Sequence, residues 1–356
     1  MMTLSTPLAI RLTTLLMVLV VWAGCRNEST DSDGATRTRP TGEVVVYTAL
    51  DRQFSEPILK LFEHRTGIRV RPVYDTEAVK TVGLVNRLLA ERQRPTCDVF
   101  WNNEIIHTIR LKREGLTEAY DVPNAASLPE PMRDPDRHWY GFAARARILA
   151  INTERLPDPA THPARVADLT DPRWKGRAGF AKPLFGTTTT HAAIIWALEG
   201  EQGALNFWNR ALGNAVMYAG NAQARDAAAD GEIDWCLTDT DDAVGAILDG
   251  KPIRIVYPDS GPGEIGTVLI PNTLMLVRNA PNRENGLALI NFLLSEEVEE
   301  LLAASRSAQI PVRTHLTPPN GLPGLGAVRM MSVDWEAVAD ALLPSQTALH
   351  ELVERR

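Results

Sequence analysis

Residues 231–245, GEIDWCLTDTDDAVG, decide how this chain is read. Gly231 marks a turn, residues 233–237 form a short apolar strand, and Ala243, Val244, Ile247 and Leu248 then repeat with a helical period. Between strand and helix lies a polar loop with Asp239, Asp241 and Asp242. The carboxyl end of a strand facing the amino end of a helix is where charge and backbone donors converge in α/β sheets. Helix capping alone also selects Thr and Asp before such a helix, but it needs only one of them. The density of three aspartates points to binding.

Working outward, residues 43–49 (EVVVYTA) form an apolar, β-branched run that predicts a buried strand. Residues 54–66 place Phe54, Ile58, Leu61 and Phe62 on one helical face, with Gly67 as the closing residue. A strand at 68–74, a helix at 79–92, a strand at 97–101 and a helix at 105–114 closed by Gly115 follow. This alternation predicts a parallel sheet with both faces covered, as a first lobe. Prolines 123, 129, 131 and 135 predict an irregular surface loop over 121–138. Residues 147–152 (RILAIN) then read as a strand that carries the chain into a second lobe.

Within that lobe the spacing predicts helices at 185–199, 202–212 and 223–230, and strands at 253–257 and 267–277. The last strand contains Pro271 and is long enough to return to the first lobe. Helices at 283–294 and 295–304, a Pro- and Gly-rich segment at 318–326 and a final helix at 335–353 complete the chain.

A length of 356 residues suggests two domains. A net charge of -7 and a pI near 5.6 exclude the basic footprint that nucleic-acid binding needs. At the amino end, Arg11 precedes an apolar run over 12–22 that is too short to span a membrane and reads as a signal peptide. Ala23-Gly24-Cys25 resembles the lipobox of bacterial lipoproteins, with Trp22 in place of the usual Leu, which predicts acylation at Cys25. Either an acylated or an ordinary leader predicts export. Residues 26–42 read as a polar tether. Cys97 and Cys236 sit in apolar stretches and are expected as buried free thiols.

Four motifs in order, VVVYTALDRQFSEPILKLFEHRTGIRV, CDVFWNNE, DPRWKGRAGFAKP and GEIDWCLTDTDD, resemble the ferric-iron-binding branch of ABC-importer solute-binding proteins over roughly residues 43–313. The resemblance implies a type II periplasmic-binding-protein fold with two α/β lobes that close on a ligand in the cleft between them. It places lobe 1 at 43–146 plus 267–313 and lobe 2 at 147–266 plus 314–356. It further implies a monomeric, non-enzymatic receptor, lipid-anchored at the periplasmic or extracellular face, that serves an ABC permease and its ATPase.

Iron-binding members carry adjacent tyrosines after the strand of the opening motif, and an ungapped reading places those positions on Asp241 and Asp242. A family histidine falls near Asp51, and a family glutamate on Asn103 or Glu104. The expected cation ligands are therefore Asp241, Asp242, Asp239, Asp51 and Glu104, whose hard oxygen donors suit Fe(III) or another hard metal. Gly186, Thr187 and Thr188 align with the family's anion-binding turn, and Arg145 or Arg147 can add a guanidinium for carbonate or phosphate. Capping by the threonines and solvation of the arginines is the competing reading. Asn103, Thr76 and Glu77 are expected along the cleft.

The same acidic groups can instead pair with an organic cation, so an aminophosphonate or a polyamine is the alternative cargo. An exported metal-dependent hydrolase is the rival class, but the chain has no G-x-S-x-G, H-E-x-x-H or paired C-x-x-C motif. Trp101 and Trp139 read as packing residues, and His64, His107 and His191 as surface or supporting residues.

Overall fold

The computed structural model describes residues 42–75, 81–319 and 321–355. The expected leader, Cys25 and tether, together with Thr76 and Glu77, lie outside the described residues.

Strand β1 (Glu43–Thr48), helix α1 (Arg52–Thr66), strand β2 (Arg69–Tyr74), helix α2 (Val82–Ala90), strand β3 (Val99–Asn102) and helix α3 (Ile105–Arg113) alternate as the hydrophobic spacing requires. Helix α1 ends at Gly67, whose φ of 76° lets its N–H close on the Glu63 carbonyl. After the short strand β4 (Thr117–Glu118), residues 121–138 hold two single turns of 3-10 helix, Pro123–Ser127 and Glu130–Met132, where prolines can occupy the first helical positions.

Strand β5 (Tyr140–Asn152) is thirteen residues long and begins seven residues earlier than its sequence suggests. Its entry, Tyr140–Ala146, contains Gly141 and three alanines that give no alternating signal. Beyond it come β6 (Ala178–Ala181), α4 (Gly186–Asn214), β7 (Val216–Tyr218), α5 (Asn221–Ala229), β8 (Trp235–Asp239), α6 (Thr240–Leu248), β9 (Ile253–Val256) and β10 (Leu269–Val277). Helices α7 (Arg283–Leu293), α8 (Glu296–Ala304) and α9 (Trp335–Glu354) follow. The two helices expected on either side of residue 200 are present as the two arms of α4, which meet at Gly200, where the backbone leaves the helical conformation with φ of 70°. Strands β4, β6 and β7 are too short, at two to four residues, to show a period.

The first-lobe sheet is mixed rather than all parallel. Strand β1 lies between β2 and β3 in parallel, while β10 pairs antiparallel with β3 and with the first half of β5. The second half of β5, from Arg147 to Asn152, pairs antiparallel with β8 and β9. One strand thus belongs to both lobes. Pro271 sits inside β10 at a register shift between Pro271 and Asn272, which accommodates a residue with no backbone donor.

The apolar core runs across both halves of β5: Phe62, Val99, Trp101 and Phe142 belong to a cluster that also takes in Ala227, Ile233 and Val244, and Trp174, Phe180, Trp208 and Trp235 belong to a second. Trp101 and Trp139 are buried packing residues, and Cys97 and Cys236 are buried free thiols. A buried ion pair, Arg313 Nη1 to Glu299 Oε2 at 2.5 Å, also receives the Ala143 and Val312 N–H groups on Glu299 Oε1. It pins the start of β5 against residues 308–313, where Ala144 and Ile310 exchange backbone hydrogen bonds.

Gly266 precedes β10 with φ of 97°, and a Cβ there would lie 2.6 Å from the backbone of Met330 and Met331. Gly263 has φ of 80°, and a Cβ there would meet nothing within 4 Å. Gly263→Ala is expected to cost about 1–2 kcal/mol from backbone strain alone. Gly266→Ala must also displace a neighbouring backbone segment and should exceed that by about 2 kcal/mol. Denaturant unfolding of the two variants checks the difference.

Candidate functional site

The candidate site forms where β3, β6 and β8 end, beside the middle of β5, against the amino ends of α4, α5 and α6. A cavity of about 650 Å³ opens there, lined by Asp239, Asp241 and Asp242 together with Gly186, Thr187 and Thr188. Asp51, Asn103 and Arg145 also line it. Sequence reading missed Lys182, Asn221, Phe54 and Phe185, which line the same space. Lys182 directly follows β6, so recognising that four-residue strand would have exposed it as a strand-end residue.

Asp239 occupies the N-cap position of α6, yet its carboxylate makes no capping bond. It accepts instead from Arg147 Nη1 at 2.7 Å, from the Thr187 hydroxyl at 2.6 Å and from Asn221 Nδ2 at 2.9 Å. Arg147 is fully buried and its remaining donors reach Thr188 Oγ1 at 3.2 Å and His191 Nδ1 at 3.5 Å. The structure therefore puts Arg147 behind the cavity wall, where it neutralises Asp239 and fixes the two threonines. Burial pushes the Asp239 carboxyl up, but Arg147, Arg145 and the Thr187 hydroxyl hold it below the usual carboxylate range.

Asp241 and Asp242 face the cavity from the first turn of α6. Asp241 Oδ2 accepts from Arg145 Nη1 at 3.1 Å, and Asp242 Oδ2 from the Thr238 hydroxyl at 2.8 Å. Burial raises the Asp241 carboxyl despite Arg145. Burial, Asp241 and Asp239 together push Asp242 up to about 7. One oxygen from each of the three aspartates lies within 4.8 Å of the others, a spacing that a single metal ion can span.

Glu104 is not brought to this cluster. It is buried, caps α3 by accepting from the Ile106 N–H at 3.1 Å, and accepts from the Thr190 hydroxyl of α4. Burial pushes its carboxyl up to about 7. Its neighbour Asn103 lines the cavity, donates to the Ala49 carbonyl and accepts from Thr81. His107 and His191 are buried rather than superficial; burial lowers them to about 4 and about 3, with Arg110 and Arg147 adding to the effect. His64 is exposed.

The amino end of α4 has no side-chain cap, since Phe185 occupies the N-cap position. Its first N–H groups, with Lys182 beside them, face the cavity at the positive end of the helix dipole. The site thus sets three carboxylates beside an uncapped helix end, which suits a cation together with a small anion, or one molecule with both charges.

Arg147→Met leaves Asp239 buried without its cation and is expected to cost about 3–5 kcal/mol, most of it recovered in Arg147→Met with Asp239→Leu. Chemical unfolding of both variants checks this. Between the ordinary aspartate value of 3.8 and about 7, Asp242 holds its proton in the folded chain and not in the unfolded one. The folded state binds more protons there, so stability falls as pH rises through that window. Asp242→Asn should flatten the decline and raise the melting temperature of the ligand-free protein at pH 8 by about 2 °C per kcal/mol relieved, as read by scanning calorimetry.

Comparison with known proteins agrees with this architecture. Iron uptake protein A1 of Synechocystis sp. is 24% identical over 337 residues, 91% of either chain. A putative 2-aminoethylphosphonate-binding periplasmic protein of Salmonella typhimurium is 26% identical over 310 residues, 82% of this chain and 86% of that one. The crystal structure of iron-bound HitA from Pseudomonas aeruginosa superposes with a TM-score of 0.78 at 21% identity, covering 87% of this chain and 99% of that one, and shares the two-lobed fold. The sequence profile of bacterial extracellular solute-binding proteins matches residues 107–340. The chain belongs to the bacterial extracellular solute-binding proteins.

Proposed function

We propose that this chain is the cargo receptor of an ABC importer and binds a hard metal cation, Fe(III) in the first instance, with a small oxyanion such as carbonate or phosphate. The observation behind this reading is the convergence of Asp239, Asp241 and Asp242 oxygens within 4.8 Å at the cavity. Burial raises Asp241 and Asp242, mutual repulsion of the close-packed carboxylates raises them further, and a multivalent cation relieves that repulsion. Oxygen donors favour hard ions. The uncapped end of α4, with Lys182, supplies the place for the anion.

Iron uptake protein A1 and the iron-bound HitA structure support the metal reading by likeness. The carboxylates at 241 and 242 would take the part of the family's paired tyrosines. In this reading the protein is exported, anchored through a lipid on Cys25, and presents its loaded form to a permease driven by an ATPase. It performs no catalysis.

A second reading is favoured by the cavity's size and by its apolar wall of Leu50, Phe54 and Phe185. A zwitterion such as an aminophosphonate would put its ammonium on the aspartates and its phosphonate at α4, in keeping with the Salmonella relative. Native mass spectrometry of the purified protein, with metal analysis, separates the two. A mass excess equal to iron plus a small anion supports the first, and an organic mass without metal the second.

Asp241→Asn with Asp242→Asn is expected to lower Fe(III) affinity by at least about 100-fold while the protein stays folded. Titration calorimetry against the wild type, with far-ultraviolet circular dichroism as the folding control, checks this; unchanged affinity would remove both residues from the cation site.

A further inference from the structure

Glu104 stands apart from the aspartate cluster, yet it is almost fully buried, at 2% exposed. It holds the N-cap position of α3, where its Oε2 accepts from the Ile106 N–H at 3.1 Å. Helix N-caps select Asn, Asp, Ser and Thr, whose short side chains suffice to reach the first turn. A glutamate has one methylene more than an aspartate, and here its second oxygen, Oε1, accepts from the Thr190 hydroxyl near the start of α4. Glu104 follows β3 of the first lobe, and α4 follows β6 of the second. The contact therefore crosses from one lobe to the other, and Thr190 is itself fully buried.

The two members are anchored separately. Asn102 Nδ2 donates to the Glu104 carbonyl and to Thr108 Oγ1 at 3.0 Å, and the Thr108 hydroxyl lies 2.7 Å from that of Thr273 in β10. Arg145 Nη2 donates to the Asn103 carbonyl at 2.8 Å. The segment 102–104 is thus tied to β10 and to β5. On the other side, Thr187 donates to Asp239 and Thr188 accepts from Arg147, which fixes the start of α4 within the second lobe. Ile106 of α3 shares one apolar cluster with Ala193 and Ile194 of α4 and Ile270 of β10. A hydrogen bond in such surroundings is strengthened, and parting its members leaves a buried carboxyl short of a partner until water enters between the lobes.

We infer that Glu104 and Thr190 form a latch between the lobes, which holds the cleft together whether or not cargo is bound. Neither residue lines the cavity, and the latch uses none of the three aspartates, so it acts on any cargo by setting how the lobes stand. A protonated Glu104 keeps the same hydroxyl, as acceptor through its carbonyl oxygen or as donor through its O–H, so the latch does not depend on ionisation. Affinity follows from the latch, because a receptor whose lobes are together for only a fraction of the time binds more weakly by that fraction.

The wild type is compared with Thr190→Val, Glu104→Asp and Thr189→Val. Thr190→Val removes the hydroxyl while keeping the shape of the side chain. Glu104→Asp keeps a capping carboxylate for α3 but withdraws it from α4. Thr189→Val is the control, since Thr189 is the adjacent buried residue and its hydroxyl has no hydrogen-bond partner among the described residues. Small-angle X-ray scattering of the chelator-treated proteins is expected to give a larger radius of gyration for Thr190→Val and Glu104→Asp than for the wild type and the control, with the same far-ultraviolet circular dichroism in all four. Titration with Ga(III) nitrilotriacetate in inorganic phosphate should show affinity lowered about tenfold in the same two variants and unchanged in the control. Equal radii in the four folded proteins overturn the latch, as does an equal expansion in Thr189→Val. Should Thr190→Val fail to fold, Glu104→Asp against the control decides. If the wild type takes no Ga(III) while the radii differ as expected, the metal reading falls and the latch stands.

Discussion

The buried pair of Arg147 and Asp239 is the constraint on which the site depends. A fully desolvated guanidinium is tolerated only where its charge and donors are matched, and here the matching groups come from three places. Asp239 ends β8, Thr187 and Thr188 open α4, and His191 lies one turn further along α4. The pair thereby fixes the junction of a strand and two helices before any cargo arrives. Asn221 at the start of α5 completes the ring by donating to both Asp239 and Thr187.

That arrangement spends on structure some of the groups that sequence would assign to a ligand. The threonine hydroxyls face Asp239, Asn221 and Arg147, so an anion at α4 meets backbone N–H groups and Lys182 before it meets hydroxyls. Asp239 is neutralised from behind, while burial and mutual crowding raise the carboxyls of Asp241 and Asp242. A local rule is broken where this happens: Asp239 holds the N-cap position of α6 without making a capping bond. Such violations are expected where a fold serves binding rather than its own stability.

Most of the fold was legible because long apolar periods are. Helices α1, α7, α8 and α9 and strands β1, β2 and β8 follow directly from their spacing. The mixed direction of the first-lobe sheet was not legible, since antiparallel β10 arrives from far along the chain and its order in the sheet is set by topology. The aspartate cluster was visible as a density of charge, and the structure does bring its three members together. Burial could not be read for Arg147 and Glu104, because a charged side chain is sealed only when partners distant in sequence close over it: Asp239 and Thr190 stand 92 and 86 residues away. Lys182 and Phe185 went unseen because strand β6, only four residues long, leaves no pattern.

Strand β5 has a final consequence for how the sequence can change. Its two halves are registered by different neighbours, β10 on one side of residue 146 and β8 with β9 on the other, so neither half is free to slide. Arg145 and Arg147, two residues apart, project to the same face on either side of that change of partners. Loss or gain of one residue between them would turn one guanidinium away from the site while leaving both sheets intact. The pair of arginines is thus tied to chain length as firmly as to chemistry, and variation in length is confined to the loops that surround the strand.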